Sequence, residues 1–196
     1  MKYFILTVFI LMAVILISQV FITNSTAQTE TVEYEIIAQF DGFEIRKYPE
    51  LTVASTPLNS DSYGANSRAG FKKIASYIFG GNSSNSQIAM TSPVQMKIND
   101  HSSMSFYMPS EMSLEDLPLP NRKDVNIKTE PTKIVAAIEF SGWASDSILV
   151  EKFRELKNKL IEEKIEFENY YSYLGYNPPY QLINRKNEVI INLINY

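Results

Sequence analysis

Apolar positions recur along this chain in three patterns, and each pattern predicts a different element. From Tyr3 to Ile17 they are continuous, and after Ser18-Gln19 they continue through Val20-Phe21-Ile22. Such a run approaches the roughly 20 residues that cross a bilayer. Lys2 precedes it, and Ser25 and Ala27 sit at minus three and minus one of a possible cut. Residues 1-28 therefore read as a signal peptide or as an uncleaved N-terminal membrane anchor. Either reading makes the remainder exported (periplasmic or extracellular) or membrane-anchored through residues 3-22, with Lys2 on the cytoplasmic side.

From Val32 onward the period shortens to two. Tyr34 to Phe40 and Phe43 to Tyr48 flank Asp41-Gly42, the two-residue signal of a tight hairpin, and Leu51 to Thr56 follows as a third strand after Pro49. Between Tyr63 and Phe79 the period becomes helical: Phe71, Ile74, Ala75 and Ile78 share one face, while Arg68, Lys72 and Ser76 follow one another at i, i+4. Gly80-Gly81-Asn82 stops this helix, because glycine enters the left-handed region at little cost. Ile88 to Val94 reads as a strand that fixes the helix against the sheet. Val94, Met96 and Ile98 alternate, Asn99 to Ser103 turns, and Met104, Phe106 and Met108 alternate on the way back, which predicts a hairpin with one buried face.

Pro109 to Pro120 reads as a turn-rich connector, after which the pattern starts over. Ile134, Ala136, Ile138 and Phe140 alternate on a strand, and Asp146 or Ser147 caps a helix carrying Leu149, Phe153, Leu156 and Leu160. Strands around Tyr170 to Leu174 and Glu188 to Leu193 are joined by a stiff Gly175-Tyr176-Asn177-Pro178-Pro179-Tyr180 loop. Strand, helix, strand, strand thus occurs twice. Two such halves close into one antiparallel sheet or barrel with two helices, an α+β domain.

Composition narrows the chemistry. The chain has 196 residues and a net charge of −4, which makes nucleic acid an unsuitable partner. It has no cysteine and one histidine, so disulfides, thiolate metal sites, cysteine nucleophiles and the usual triads are absent. His101 lies in a hairpin turn and reads as a solvated residue rather than an axial iron ligand. Met96, Met104 and Met108 occupy inward strand positions and read as core. Glu35, Glu44, Glu139 and Glu188 are scattered, with no spacing that singles out a catalytic pair, and no phosphate loop, nucleophile elbow or zinc motif occurs.

Five segments in order carry a resemblance: Phe43-Glu44-Ile45-Arg46-Lys47-Tyr48-Pro49; Tyr77 to Asn82; Ile88 to Val94; Met104 to Pro109; and Gly175-Tyr176-Asn177-Pro178-Pro179 with Asn184 to Val189. Together they resemble the SOUL heme-binding protein family, over residues 32-196. The resemblance implies a distorted antiparallel β-barrel with two helices, built from two βαββ-like halves, that binds heme or another tetrapyrrole without catalysis. It places the ligand between the helix with Arg68, Phe71, Lys72, Ile74, Ala75 and Ile78 and the loop with Tyr176, Asn177, Pro178, Pro179 and Tyr180. Arg68 and Lys72 would meet the propionates, and iron would have no histidine ligand. Asn177 stands where the family more often has aspartate, and Tyr180-Gln181-Leu182 follows where some members carry a basic residue. Carriage, buffering or sensing of the ligand would follow. The alternatives are a protein-interaction module taking a peptide or partner helix in the same cleft, and a hydrolase for an apolar substrate, which no motif supports.

Overall fold

The computed structural model describes residues 2–98 and 101–196, so Asn99 and Asp100 of the expected turn lie outside the described residues. The elements run α1 (Lys2–Ala27), β1 (Glu35–Phe40), β2 (Phe43–Tyr48), β3 (Leu51–Pro57), α2 (Tyr63–Ile78), β4 (Val94–Ile98), β5 (Ser103–Tyr107), β6 (Asn126–Glu130), β7 (Lys133–Ser141), α3 (Asp146–Glu162), β8 (Tyr171–Gly175) and β9 (Lys186–Asn192). From Tyr3 to Ala27, α1 is long and apolar enough to cross a membrane, with a mean hydropathy of 2.8 and almost none of it buried.

The nine strands form one antiparallel sheet in the order β1-β2-β7-β9-β8-β4-β5-β3-β6. The two halves are β3-α2-β4-β5 and β7-α3-β8-β9, and they join where β4 pairs β8, from Val94↔Gly175 to Ile98↔Tyr171. The sheet curls but keeps two free edges, β1 and β6, so it is an open half-barrel rather than a closed one.

Alternation along the strands separates two apolar clusters. Ile45, Ala54, Met96, Met104, Phe106, Ala136, Ile138, Tyr173 and Val189 face the helices and pack with Ile74 and Ile78 of α2 and Leu149, Leu156 and Leu160 of α3. Those three leucines are fully buried, which contributes about 2 kcal/mol each. The opposite face holds a smaller cluster of Tyr48, Val135, Ala137, Leu174 and Ile190, against which Tyr34 and Tyr176 pack.

Several boundaries differ from the sequence expectation. Ile88 to Pro93 is an extended segment rather than a strand, held by isolated bridges such as Thr31↔Ser92. Pro93 has no N–H to donate, and sheet neighbours begin only at Val94, opposite Phe106 and Gly175. The segment still pins α2, since Ile88 N donates to Ile78 O at 2.8 Å. The edge strand β6 falls in a stretch without alternation, because only β3 pairs with it. Gly80 takes the left-handed φ of +100° just past α2, whereas Gly81 is needed for space: a Cβ there would lie 2.5 Å from Ser76 O.

The cap of α3 is Ser145, whose hydroxyl accepts from Ile148 N, rather than Asp146 or Ser147. Asp146 serves the other helix instead. Its carboxylate accepts from Tyr63 N at 2.6 Å and Gly64 N at 3.1 Å, two of the orphan donors that open α2. Asp146→Ala is expected to lower stability by about 1–2 kcal/mol, as loss of a helix cap does. Chemical denaturation checks this: a lower midpoint with unchanged slope is expected, and an unshifted midpoint would remove Asp146 from that role.

Candidate functional site

The helix wall of the expected cleft is largely spent on the core. Ile74, Ala75 and Ile78 are buried beneath α2, because an amphipathic helix laid on β3, β5 and β4 must bury its apolar stripe against them. Phe71 is half-buried with its ring tilted on Phe106, centroids 5.2 Å apart. Arg68 and Lys72 point outward and are exposed, one turn apart on the solvent face. The helix thus presents two cations and one aromatic edge, not an open apolar wall.

The loop wall divides in the same way. Strand β8 alternates, so Tyr173 faces the helix side while Leu174 and then Tyr176 face the opposite cluster. Gly175 lets the chain turn closely over Tyr173, whose hydroxyl would lie 2.7 Å from a Cβ at that position. Asn177 works within the loop: its Oδ1 accepts from Lys186 N at 2.6 Å. Arg185 fastens the rest, donating to Pro178 O at 2.8 Å and Gln181 O at 2.7 Å. Pro179 and Tyr180 remain exposed. The ring of Tyr176 and the stripe of α2 therefore lie on opposite faces of the sheet and do not form two walls of one cleft.

What Tyr176 meets instead is an ion cluster that sequence reasoning missed. Its hydroxyl donates to Glu188 Oε2 at 2.8 Å, and Glu188 is fully buried. Arg46 donates to the same oxygen at 2.9 Å and to Glu44 Oε2 at 2.8 Å. Lys186 Nζ stands 3.1 Å from Glu188 Oε1, and its ammonium lies 4.6 Å from the centre of the Tyr176 ring. The Arg46 guanidinium lies 4.2 Å over Tyr34. Glu44 and Glu188, unpaired in the sequence reading, thus converge on one cation. Among the charged residues of β2 and β9, Arg46 and Glu188 are the two that are buried, while Glu44 and Lys186 are partly exposed and Lys47 is exposed.

Electrostatics follow the burial. Desolvation alone would lower the Arg46 pKa, but its hydrogen bond and charge interaction with Glu188 outweigh this and hold it above the usual value. Desolvation, with the Glu188 charge added, pushes the Tyr176 and Tyr48 phenols up. Burial also raises Tyr107, whose hydroxyl donates to Gln95.

Elsewhere, a polar cavity of about 630 Å³ opens between β3, β4, β5 and β6, lined by Ser55, Gln95, Lys97, Lys128, Glu130 and the exposed His101. Met96, Met104 and Met108 are buried in the helix-side core, as their alternation predicts. Among the described residues no group of three or more His, Asp or Glu side chains is placed to hold a metal ion.

Two outcomes test the cluster. Arg46→Met is expected to cost about 3–5 kcal/mol, because it strips a buried carboxylate of its partner, whereas Arg46→Met with Glu188→Leu should recover most of that loss by denaturant midpoint. The tyrosine shifts give a pH dependence with a definite sign. A raised phenol pKa means that the unfolded chain loses its proton first, so the stability is present below about pH 10 and lost as pH rises beyond it. Unfolding free energy should therefore stay level through neutrality and fall above about pH 10, and Tyr176→Phe should make that fall shallower. An unchanged alkaline slope would place Tyr176 in water.

The comparisons with known proteins agree with this architecture. The family described as SOUL heme-binding protein matches residues 29–192. Heme-binding protein 2 of Mus musculus is 33% identical over 164 residues, covering 79% of this chain and 80% of that protein. Heme-binding protein 2 of Homo sapiens is 34% identical over 156 residues, covering 75% and 76%. Among solved structures, the EcmrR C-terminal domain superposes with a TM-score of 0.61 at 9% identity, covering 83% of this chain and 99% of that one, which is a likeness of fold alone. With the matched residues spanning all nine strands, α2 and α3, this chain belongs to the SOUL heme-binding protein family.

Proposed function

We propose that this protein binds heme or a related tetrapyrrole reversibly and without catalysis, for carriage, buffering or sensing, while α1 tethers it to a membrane. The family match supports the ligand class. The observation that carries the binding mode is the exposed pair Arg68 and Lys72 on α2. Residues at i, i+4 are about 6 Å apart, and like charges so placed repel slightly unless an anion lies between them. A tetrapyrrole supplies such anions as its propionates. Phe71 and the exposed Pro179 and Tyr180 provide apolar contact area, and Ile74, Ala75 and Ile78 act from beneath by fixing the helix.

Heme brings an iron that accepts axial ligands. His101 is poorly placed to supply one. It follows the Ile98 end of the β4–β8 ladder, whereas the Tyr176 loop leaves the Val94 end, about 13 Å away along the strand. Binding on this reading uses the propionates and the ring faces, and iron is held without histidine. Retention of α1 is supported by its ties to the domain: Thr26 Oγ1 donates to Gln181 Oε1 at 2.9 Å, and Gln19 Oε1 accepts from Leu182 N at 2.8 Å. A segment destined for removal would have no use for them.

Titrating the protein with hemin is expected to give a saturable Soret change at micromolar ligand, and its absence would sink the reading. Arg68→Ala with Lys72→Ala should weaken hemin roughly ten-fold, the scale of two exposed ion pairs, while leaving the hemin dimethyl ester almost unaffected. Equal losses for both ligands would take those residues out of the anion role. His101→Ala should leave the Soret spectrum unchanged.

A further inference from the structure

The contact between α1 and the 177–183 loop sets where that loop sits relative to a bilayer. Gln19 is a polar residue near the end of a long apolar run, yet its side chain is buried against the domain. Its Oε1 accepts from Leu182 N at 2.8 Å and its Nε2 donates to Tyr180 O at 3.3 Å. Both ends of the amide are thus occupied by loop backbone, which removes the cost of an unpaired polar group near hydrocarbon. From Tyr3 to Gln19 a helix rises about 24 Å, and the hydrocarbon core is about 30 Å thick. Gln19, and the loop bonded to it, therefore fall within about 6 Å of the far edge of the hydrocarbon that α1 would cross, one turn before the apolar run ends at Ile22.

The side chains at that level suit an interface. Tyr180, Leu182 and Ile183 are 63%, 53% and 46% exposed, large apolar groups that a water-facing loop has no reason to present together. Trp143, 52% exposed, stands beside them, its ring 4.1 Å from the Arg185 guanidinium that holds the loop carbonyls. Trp and Tyr rings with an adjacent cation are the side chains that collect where hydrocarbon meets headgroups.

We propose that the loop segment bearing Leu182 and Ile183 docks on the phospholipid bilayer that α1 crosses, so that this part of the domain lies on the membrane rather than in water. The proposal rests on the reading of α1 as a retained anchor. The occupant is lipid because the patch is continuous with the helix that enters it, and continuity with a spanning segment leaves no room there for a soluble partner.

The cysteine-free sequence makes the test direct. Single cysteines at Phe9, Leu182, Ile183 and Asn158 of the full chain are labelled with an environment-sensitive fluorophore and reconstituted into phosphatidylcholine vesicles containing doxyl lipids. Labels at Leu182 and Ile183 should shift to the blue and lose most of their emission to a doxyl group near the headgroup. The Phe9 label should be quenched by a doxyl group deep in the acyl chain, and the Asn158 label, on the outer face of α3, by neither. If Phe9 is quenched while Leu182 and Ile183 behave like Asn158, the docking proposal fails and the anchor stands. If Phe9 is unquenched as well, the anchor reading fails and the docking proposal with it.

Discussion

A sheet nine strands wide has two faces to bury, and of the three helices described it is α2 and α3 that cover it. Both helices go to one face, so the other must close by itself. It does so with aromatic rings and a buried ion cluster rather than with a third layer: Tyr34, Tyr48 and Tyr176 pack beside Val135, Leu174 and Ile190, with Arg46 and Glu188 among them. A buried ion pair gains Coulomb energy but loses the hydration of both ions, and apolar residues of the same shape often do as well. Its value here is positional. Glu188 accepts hydrogen bonds from Arg46 and Tyr176 at one oxygen and has the Lys186 ammonium 3.1 Å from the other, and each of these groups comes from a different segment of the chain. The cluster therefore fixes β2, β9 and the start of the 176–180 loop relative to one another, which apolar packing alone would do with less precision.

That division of labour decides what is left to recognise a ligand. The apolar residues of α2 are committed to the core, and Tyr176 to the opposite face. Of the residues proposed for the ligand, Arg68 and Lys72, the edge of Phe71, and Pro179-Tyr180 reach solvent. On the proposed reading, a set of cations and flat apolar surfaces suits a planar ligand with anionic substituents that binds at the surface and leaves again. It does not suit an enclosed prosthetic group, which needs a preformed apolar cavity burying most of its area.

Much of this fold is legible in the sequence, and the exceptions have physical causes. Strands with one face inward, such as β4 and β5 with Met96, Met104 and Phe106, alternate visibly because one face is wet or polar. Strand β9 is closed on both sides, so its Lys186–Asn192 run shows the apolar block Val189-Ile190-Ile191 directly after Glu188, and the role of that carboxylate depends on Arg46, 142 residues away. Edge strand β6 has little to bury and so carries no period. Asp146 reads as the cap of the helix it begins, because local sequence favours that use; only tertiary structure brings the N-terminus of α2 within its reach. The stripe Phe71, Ile74, Ile78 was visible as apolar, but periodicity reports which residues share a face and not whether that face meets the core or a ligand.

The same limit applies to α1, whose composition alone fits a signal peptide or an uncleaved anchor. The distinguishing information is in its polar residues. Gln19 and Thr26 are the side chains by which α1 bonds to Tyr180, Gln181 and Leu182, and the segment after it pairs with Ser92 through Glu30 O and Val32 N. Ser92 in turn donates its hydroxyl to Tyr176 O. A flexible linker of six or seven residues between helix and domain would let the domain tumble over a range of about 15 Å. Here hydrogen bonds replace that freedom, so the orientation of the domain is set by the axis of α1. A domain whose 180–182 loop is bonded to its own apolar helix is oriented by whatever surface that helix enters.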